Sequence, residues 1–205
     1  MSSESNMIAS AEVRWFYRGS PPDAVSAWFD LLDPHAEPPR TDWYLRPTDA
    51  AMNVKWREGQ MQPKRRDAPG EAITFAENIH GLIERWRKWS IALQKEGPAD
   101  FSREPLWQPV TKSRLMRTFQ RDGDRRIVPV PAPADDYPDV GCQVELARLE
   151  TEAEVWWSLC FESFGLEVQL RDLLVETATH VFSNGMPPTL DLSHSSGYAE
   201  WLLVY

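Results

Sequence analysis

Met52-Asn-Val-Lys-Trp-Arg57 alternates without a break: Met52, Val54 and Trp56 fall on one side, and Asn53, Lys55 and Arg57 on the other. A period of two is the mark of a half-buried strand, and here the polar side is cationic. Gly59 turns the chain, after which Gln62, Lys64 and Arg66 again share a face. The stretch from Leu82 to Leu93 is aromatic and basic together, with Arg85 and Arg87 two residues apart. Val110-Thr-Lys-Ser-Arg-Leu-Met-Arg-Thr-Phe119 places Lys112 and Arg114 on one face and Leu115 on the other. Successive strands with basic alternate residues predict an α+β fold: an antiparallel sheet closed into a barrel, with helices packed outside. The apolar faces then meet the helices and the basic faces line a lumen. The alternative is an open sheet whose basic face is solvated.

Outward from these strands the chain reads as one domain over residues 1–205, with no internal repeat. Ala11 to Arg18 is dense in aromatics and reads as a strand. Ser20-Pro-Pro-Asp23 opens a helix: serine caps, proline suits the first turn and aspartate favours its positive end. Val25, Trp28, Phe29 and Leu32 supply its buried stripe, and the proline-rich piece from Pro34 to Pro39 reads as a loop. Ala72, Phe75, Ala76, Ile79, Ile83 and Trp86 also fit a helical stripe, so the stretch from Glu71 is open to a helix before a strand beginning near Ile83. Residues 121–138, with four prolines between Pro129 and Pro138, read as a loop. Gly141–Leu149 and Val155–Glu162 form a hairpin. A helix follows with Leu170, Leu173, Leu174, Thr177, Ala178 and Val181 on one face, closed by Asn184-Gly185. Pro187-Pro188 and a tail ending in Tyr198-Ala-Glu-Trp-Leu202 complete the chain.

Ten tryptophans among 205 residues favour pleated, half-buried surfaces, and a 42% apolar content fits a folded domain. No apolar run reaches the roughly 20 residues that span a bilayer. The first ten residues lack a basic segment followed by an apolar one. Cys142 and Cys160 lack metal spacing and read as reduced thiols, so a cytoplasmic protein without membrane partners is expected. The net charge of −9 is uneven. Residues 40–126 hold 18 Lys and Arg against 12 Asp and Glu, while the rest holds 4 against 19. An acidic whole argues against nucleic acid, even with Arg85-Trp-Arg-Lys-Trp89 interleaving bases and aromatics.

Cations crowded into one lumen need countercharge, because self-repulsion and desolvation are severe there. Glu12, Glu145 and Glu162 sit at strand positions that could supply it. A phosphate chain would supply the rest, through charge-assisted and often bidentate bonds. The candidate ligand-binding set is Arg14, Lys55, Arg57, Lys64, Arg66, Arg85, Arg87, Lys112 and Arg114.

Asn53–Arg57, Val110–Arg114, Asp139–Glu145 and Ser195-Ser-Gly-Tyr-Ala-Glu-Trp-Leu202 occur in the order found in the CYTH or triphosphate-tunnel family, which the chain resembles. The four segments are similar to its basic third strand, its Lys-x-Arg strand, its acidic strand and its tail. The resemblance implies a tunnel-shaped barrel that takes a small phosphorylated ligand, such as a triphosphate, a nucleotide or a polyphosphate. It also implies Mg²⁺ or Mn²⁺ held by carboxylates, for which Glu12, Glu145 and Glu162 are the candidates. The family's ExExK motif reads Glu12-Val-Arg14-Trp-Phe16 here. A cation at Arg14 displaces a hard-cation ligand from that position and can grip phosphate instead. The expectation is a polyanion binder, or a phosphohydrolase with an eroded metal site.

Other chemistry finds no foothold. His35, His80, His180 and His194 lack metal-binding spacing, Ser193-His-Ser195 has no acid to orient a base, and no phosphate loop or dinucleotide fingerprint occurs. Two rival functions stay open. A lipocalin-like barrel would carry an organic ligand in an apolar lumen, and would turn Lys55, Arg57, Lys112 and Arg114 outward. An interaction module would use the acidic flank to meet a basic partner.

Overall fold

In the computed structural model residues 7–92, 101, 104–131, 138–185 and 188–204 are described. The chain runs β1 (Ile8–Arg18), α1 (Asp23–Asp30), β2 (His35–Leu45), β3 (Met52–Arg57), β4 (Gln60–Arg66), β5 (Glu71–Ala76), β6 (Ile79–Lys88) and β7 (Ile91–Ala92). It continues through β8 (Trp107–Arg121), β9 (Ile127–Pro129), β10 (Gly141–Glu150), β11 (Val155–Phe164), α2 (Leu170–Phe182) and α3 (Tyr198–Val204).

Eight strands close on themselves in the order β6-β1-β11-β10-β8-β2-β3-β4, and β4 pairs back to β6 through Lys64–Lys88, Arg65–Arg87 and Arg66–Trp86. All these pairings are antiparallel. β6 serves two neighbours in sequence: its first half pairs β5 and its second half closes the barrel. β5, β7 and β9 extend the sheet outside the closed ring. The basic strands therefore form the closed barrel that their alternation predicts.

Because period two puts neighbours on opposite faces, the barrel acquires two cores. Outside it, Ala11, Val13 and Trp15 of β1, Ile79 and Ile83 of β6, and Leu159 and Phe161 of β11 pack against α1 and α2. The stripe Leu170, Leu173, Leu174, Thr177, Ala178 and Val181 is fully buried there, as its spacing predicts. Inside, at one end, Phe16, Tyr44, Val110, Leu149 and Trp156 receive Tyr198, Trp201 and Leu202 of α3. Trp201 stacks on Phe16 with centroids 4.8 Å apart, and Tyr198 stacks on Tyr44 at 5.4 Å. Two helices lie outside as expected, and the third closes the barrel's end.

Four segments depart from the sequence reading. Pro34–Pro39 lies largely inside β2, which begins at His35 and accommodates Pro38-Pro39 at a register shift between Glu37 and Arg40 opposite β8. A bulge is where a strand tolerates proline, since no ladder donor is needed there. Glu71–Ala76 is a strand that forms a hairpin with β6, so the helical stripe is not used. Ile127–Pro129 within the expected loop pairs β8. The tail is held to the barrel before α3: Ser195 Oγ accepts from Leu82 N at 2.8 Å, and Ser196 N donates to Arg14 O at 3.0 Å. Leu93, Pro187, residues 132–137 and residues 1–6 lie outside the described residues. Among the described residues no helix is long and apolar enough to cross a membrane.

Candidate functional site: a basic lumen with one end closed

Between the α3 plug and the opposite end of the barrel lies a cavity of about 180 Å³. Eight basic side chains line it: Arg14, Arg40, Lys55, Arg57, Lys64, Lys88, Lys112 and Arg114. Three carboxylates share that wall, Glu12, Glu145 and Glu162, and Asp42 lies fully buried behind it.

The charges divide the lumen into two walls. On the β1-β11-β4 side they balance: Lys64 Nζ bridges Glu12 Oε2 at 2.5 Å and Glu162 Oε1 at 3.2 Å. The register explains the need, since Glu84, Glu12 and Glu162 stand side by side across β6, β1 and β11. Arg66 pairs with Glu84 and does not line the cavity. Burial pushes Lys64 down, but the two carboxylates overcome it and hold the ammonium well above its ordinary range. Burial likewise pushes Glu162 up, and Lys64 and Lys88 pull it below its usual value.

On the β2-β3-β8 side cations outnumber acids. Asp42 faces Arg40 Nε at 3.3 Å, Lys112 Nζ at 3.2 Å and Lys55 Nζ at 3.8 Å. Lys112 also donates to Tyr44 Oη at 2.6 Å and sits 4.1 Å from the centre of the Tyr198 ring. Burial lowers the Lys55 ammonium to about 7, with Asp42 opposing and Lys112 and Arg40 reinforcing the drop. Burial lowers Lys112 to about 8 against the pull of Asp42 and Glu145.

Arg14 and Arg114 meet over Glu145. Arg14 Nη1 donates to Glu145 Oε1 at 2.8 Å and to Ser158 Oγ at 3.1 Å, and its guanidinium lies 4.8 Å from the centre of the Tyr198 ring. Arg114 Nη1 is 3.6 Å from Glu145 Oε2, and its Nη2 is 3.4 Å from Glu37 Oε2. Burial pushes Glu145 up, but Arg14 and Lys112 outweigh it and keep the carboxylate ionised. The Nε atoms of Arg14 and Arg114 are buried without a hydrogen-bond partner among the described residues.

Most of the residues singled out from the sequence meet here. Arg14, Lys55, Arg57, Lys64, Lys112, Arg114, Glu12, Glu145 and Glu162 all face the cavity. Arg85 and Arg87 do not, and their expected place in the lumen is corrected. Arg85 is exposed on the outer face, and Arg87 pairs there with Asp67 and Glu167, both at 2.7 Å. Their parity on β6 matches that of the outer-core residues Ile79 and Ile83, while Glu84, Trp86 and Lys88 turn inward. The three candidate metal carboxylates do not converge. Lys64 occupies the space between Glu12 and Glu162, and Glu145 is taken up by the two arginines. Among the described residues no group of three or more His, Cys, Asp or Glu is placed to share an ion. Arg40, Asp42, Tyr44 and Lys88 were not among the candidates, although Arg40, Asp42 and Tyr44 alternate in the sequence as a strand's inner face does.

Neither a protein-family model nor a curated protein matches the chain.

Proposed function

We propose that this protein binds a small phosphorylated polyanion inside its barrel, gripping it directly with ammonium and guanidinium groups. The observation that carries this reading is the unsatisfied wall. Among the described residues the buried Nε donors of Arg14 and Arg114 have no acceptor, beside a lysine pair whose charge burial disfavours. A buried donor without a partner and a desolvated like charge both cost free energy. The oxygens of a phosphate chain supply acceptors and countercharge together.

The ligand class agrees with the triphosphate-tunnel resemblance, and the means of holding it differs. In our reading Mg²⁺ or Mn²⁺ has no resident site, because each carboxylate that would ligate it already serves a cation. The reading is of binding rather than turnover. The lumen's Cys160 thiol and the Tyr44 and Tyr198 hydroxyls are all pushed up by burial and stay protonated. A carrier of a neutral apolar ligand finds little support, since Lys55, Arg57, Lys112 and Arg114 point inward.

Thermal-shift titration with tripolyphosphate and pyrophosphate, each with and without Mg²⁺, tests the proposal. A rise in melting temperature of roughly 5–10 °C at a hundredfold excess over Kd, without need of the metal, is expected. No shift with either anion would contradict it.

A further inference from the structure

The lumen changes character along its axis. On β1 the inward residues run Ile8, Ser10, Glu12, Arg14 and Phe16, from the open end to the α3 plug. On β11 the same order reads Phe164, Glu162, Cys160, Ser158 and Trp156. Apolar side chains thus stand at the open end, charged ones in the middle, and the plug seals the far end. A second cavity of about 270 Å³ occupies the open end, bounded by Ile8, Ser10, Lys88, Gln143, Glu162 and Phe164. It shares Lys88, Gln143 and Glu162 with the basic cavity, so the two adjoin.

The apolar part of this opening is built by the fold. The Phe164 ring lies over Gly141, its cross-strand partner, where a Cβ would sit 2.8 Å from the ring's Cζ. Ile8 is 45% exposed and pairs with Lys88 on β6. A simple inorganic polyanion has no use for such a wall, since an anion beside hydrocarbon loses hydration and gains no partner. With α3 packed into the other end, a group attached to the buried anion has the opening beside Ile8 and Phe164 as a way out.

We infer that the ligand is an amphiphilic phosphate ester, whose anionic head enters first and whose apolar organic group lies against Ile8 and Phe164 at the open end. This rests on the polyanion reading above and adds the nature of the group that the phosphate carries.

Calorimetric titration at pH 7 with pyrophosphate and with methyl, butyl and hexyl diphosphate separates the two proposals. Affinity should rise along the series by about fourfold for each methylene that the wall covers. The variant Ile8→Ser, at a half-exposed position, should flatten that rise. Equal affinity for all four compounds, or a rise that Ile8→Ser leaves intact, overturns the inference while the polyanion reading stands. Failure of every compound to bind overturns both.

Discussion

Asp42 is fully buried and, among the described residues, is the one carboxylate within ion-pair distance of Arg40, Lys55 and Lys112 together. Asp42→Asn would leave three cations facing one another in a confined space, and removing one partner of a buried ion pair costs about 3–5 kcal/mol. Lys55 keeps 19% of its side chain exposed, so water softens part of this. The variant should melt lower than the parent, and tripolyphosphate should recover more of its melting temperature than it adds to the parent's. Recovery no greater than in the parent would show that Asp42 does not neutralise the cations of this wall. The two lysines also fix a pH dependence. Their folded values, about 7 and about 8, lie below the ordinary ammonium range, so between pH 7 and 8.5 the unfolded chain holds protons that the folded chain has released. Their contribution to the stability of the free protein therefore improves as pH rises through that window. A bound anion favours the charged ammonium and reverses the preference. Stabilisation by sulfate, whose own charge is constant here, should be larger at pH 6.5 than at pH 8.5 in a melting assay. The opposite trend would mean that these lysines do not touch the anion.

At the scale of elements, alternation made β3, β4 and β8 legible, and with them five of the cations that line the cavity: Lys55, Arg57, Lys64, Lys112 and Arg114. It failed where another signal spoke louder. Pro38-Pro39 hides β2, because proline ordinarily ends a strand and only the bulge opposite β8 admits it. On β6 the eye is drawn to Arg85 and Arg87. Yet Ile79 and Ile83 have the same parity, and an apolar exterior fixes that parity outward. The α3 plug was written as i, i+3, i+4 spacing in Tyr198, Trp201 and Leu202, but seven residues give a periodic pattern too little length to read. Its energetics rest on packing. Trp201 is 2% exposed and stacks on Phe16, and Trp201→Ala should lower the unfolding free energy by about 3–5 kcal/mol in denaturant titration. A loss under 1 kcal/mol would mean that the helix does not seal the barrel. The approach to the plug is equally tight: a Cβ at Gly197 would run into Glu84 Oε2 and the Trp86 ring, so Gly197→Ala should also destabilise.

The whole molecule sets a basic interior within an acidic chain of net charge −9. The surplus of positive charge inside is confined by barrel closure, which holds the cationic faces of β3, β4 and β8 around one cavity. An open sheet would let the same side chains spread into water, where screening makes them unremarkable. Closure gathers them into one cavity. Enclosure also explains why counts of charge along the chain could not distinguish a solvated face from an enclosed one: the two differ only in which strands meet. The most direct measurement is equilibrium binding of tripolyphosphate, without metal, to the parent and to a Lys112→Met, Arg114→Met double variant at pH 7. Saturable one-to-one binding that weakens at least about tenfold in the folded variant is expected, since each buried charge-assisted contact is worth about 1.5–3 kcal/mol. Absence of binding to the parent, or equal binding to the two proteins, would contradict the proposal that the lumen holds a polyanion.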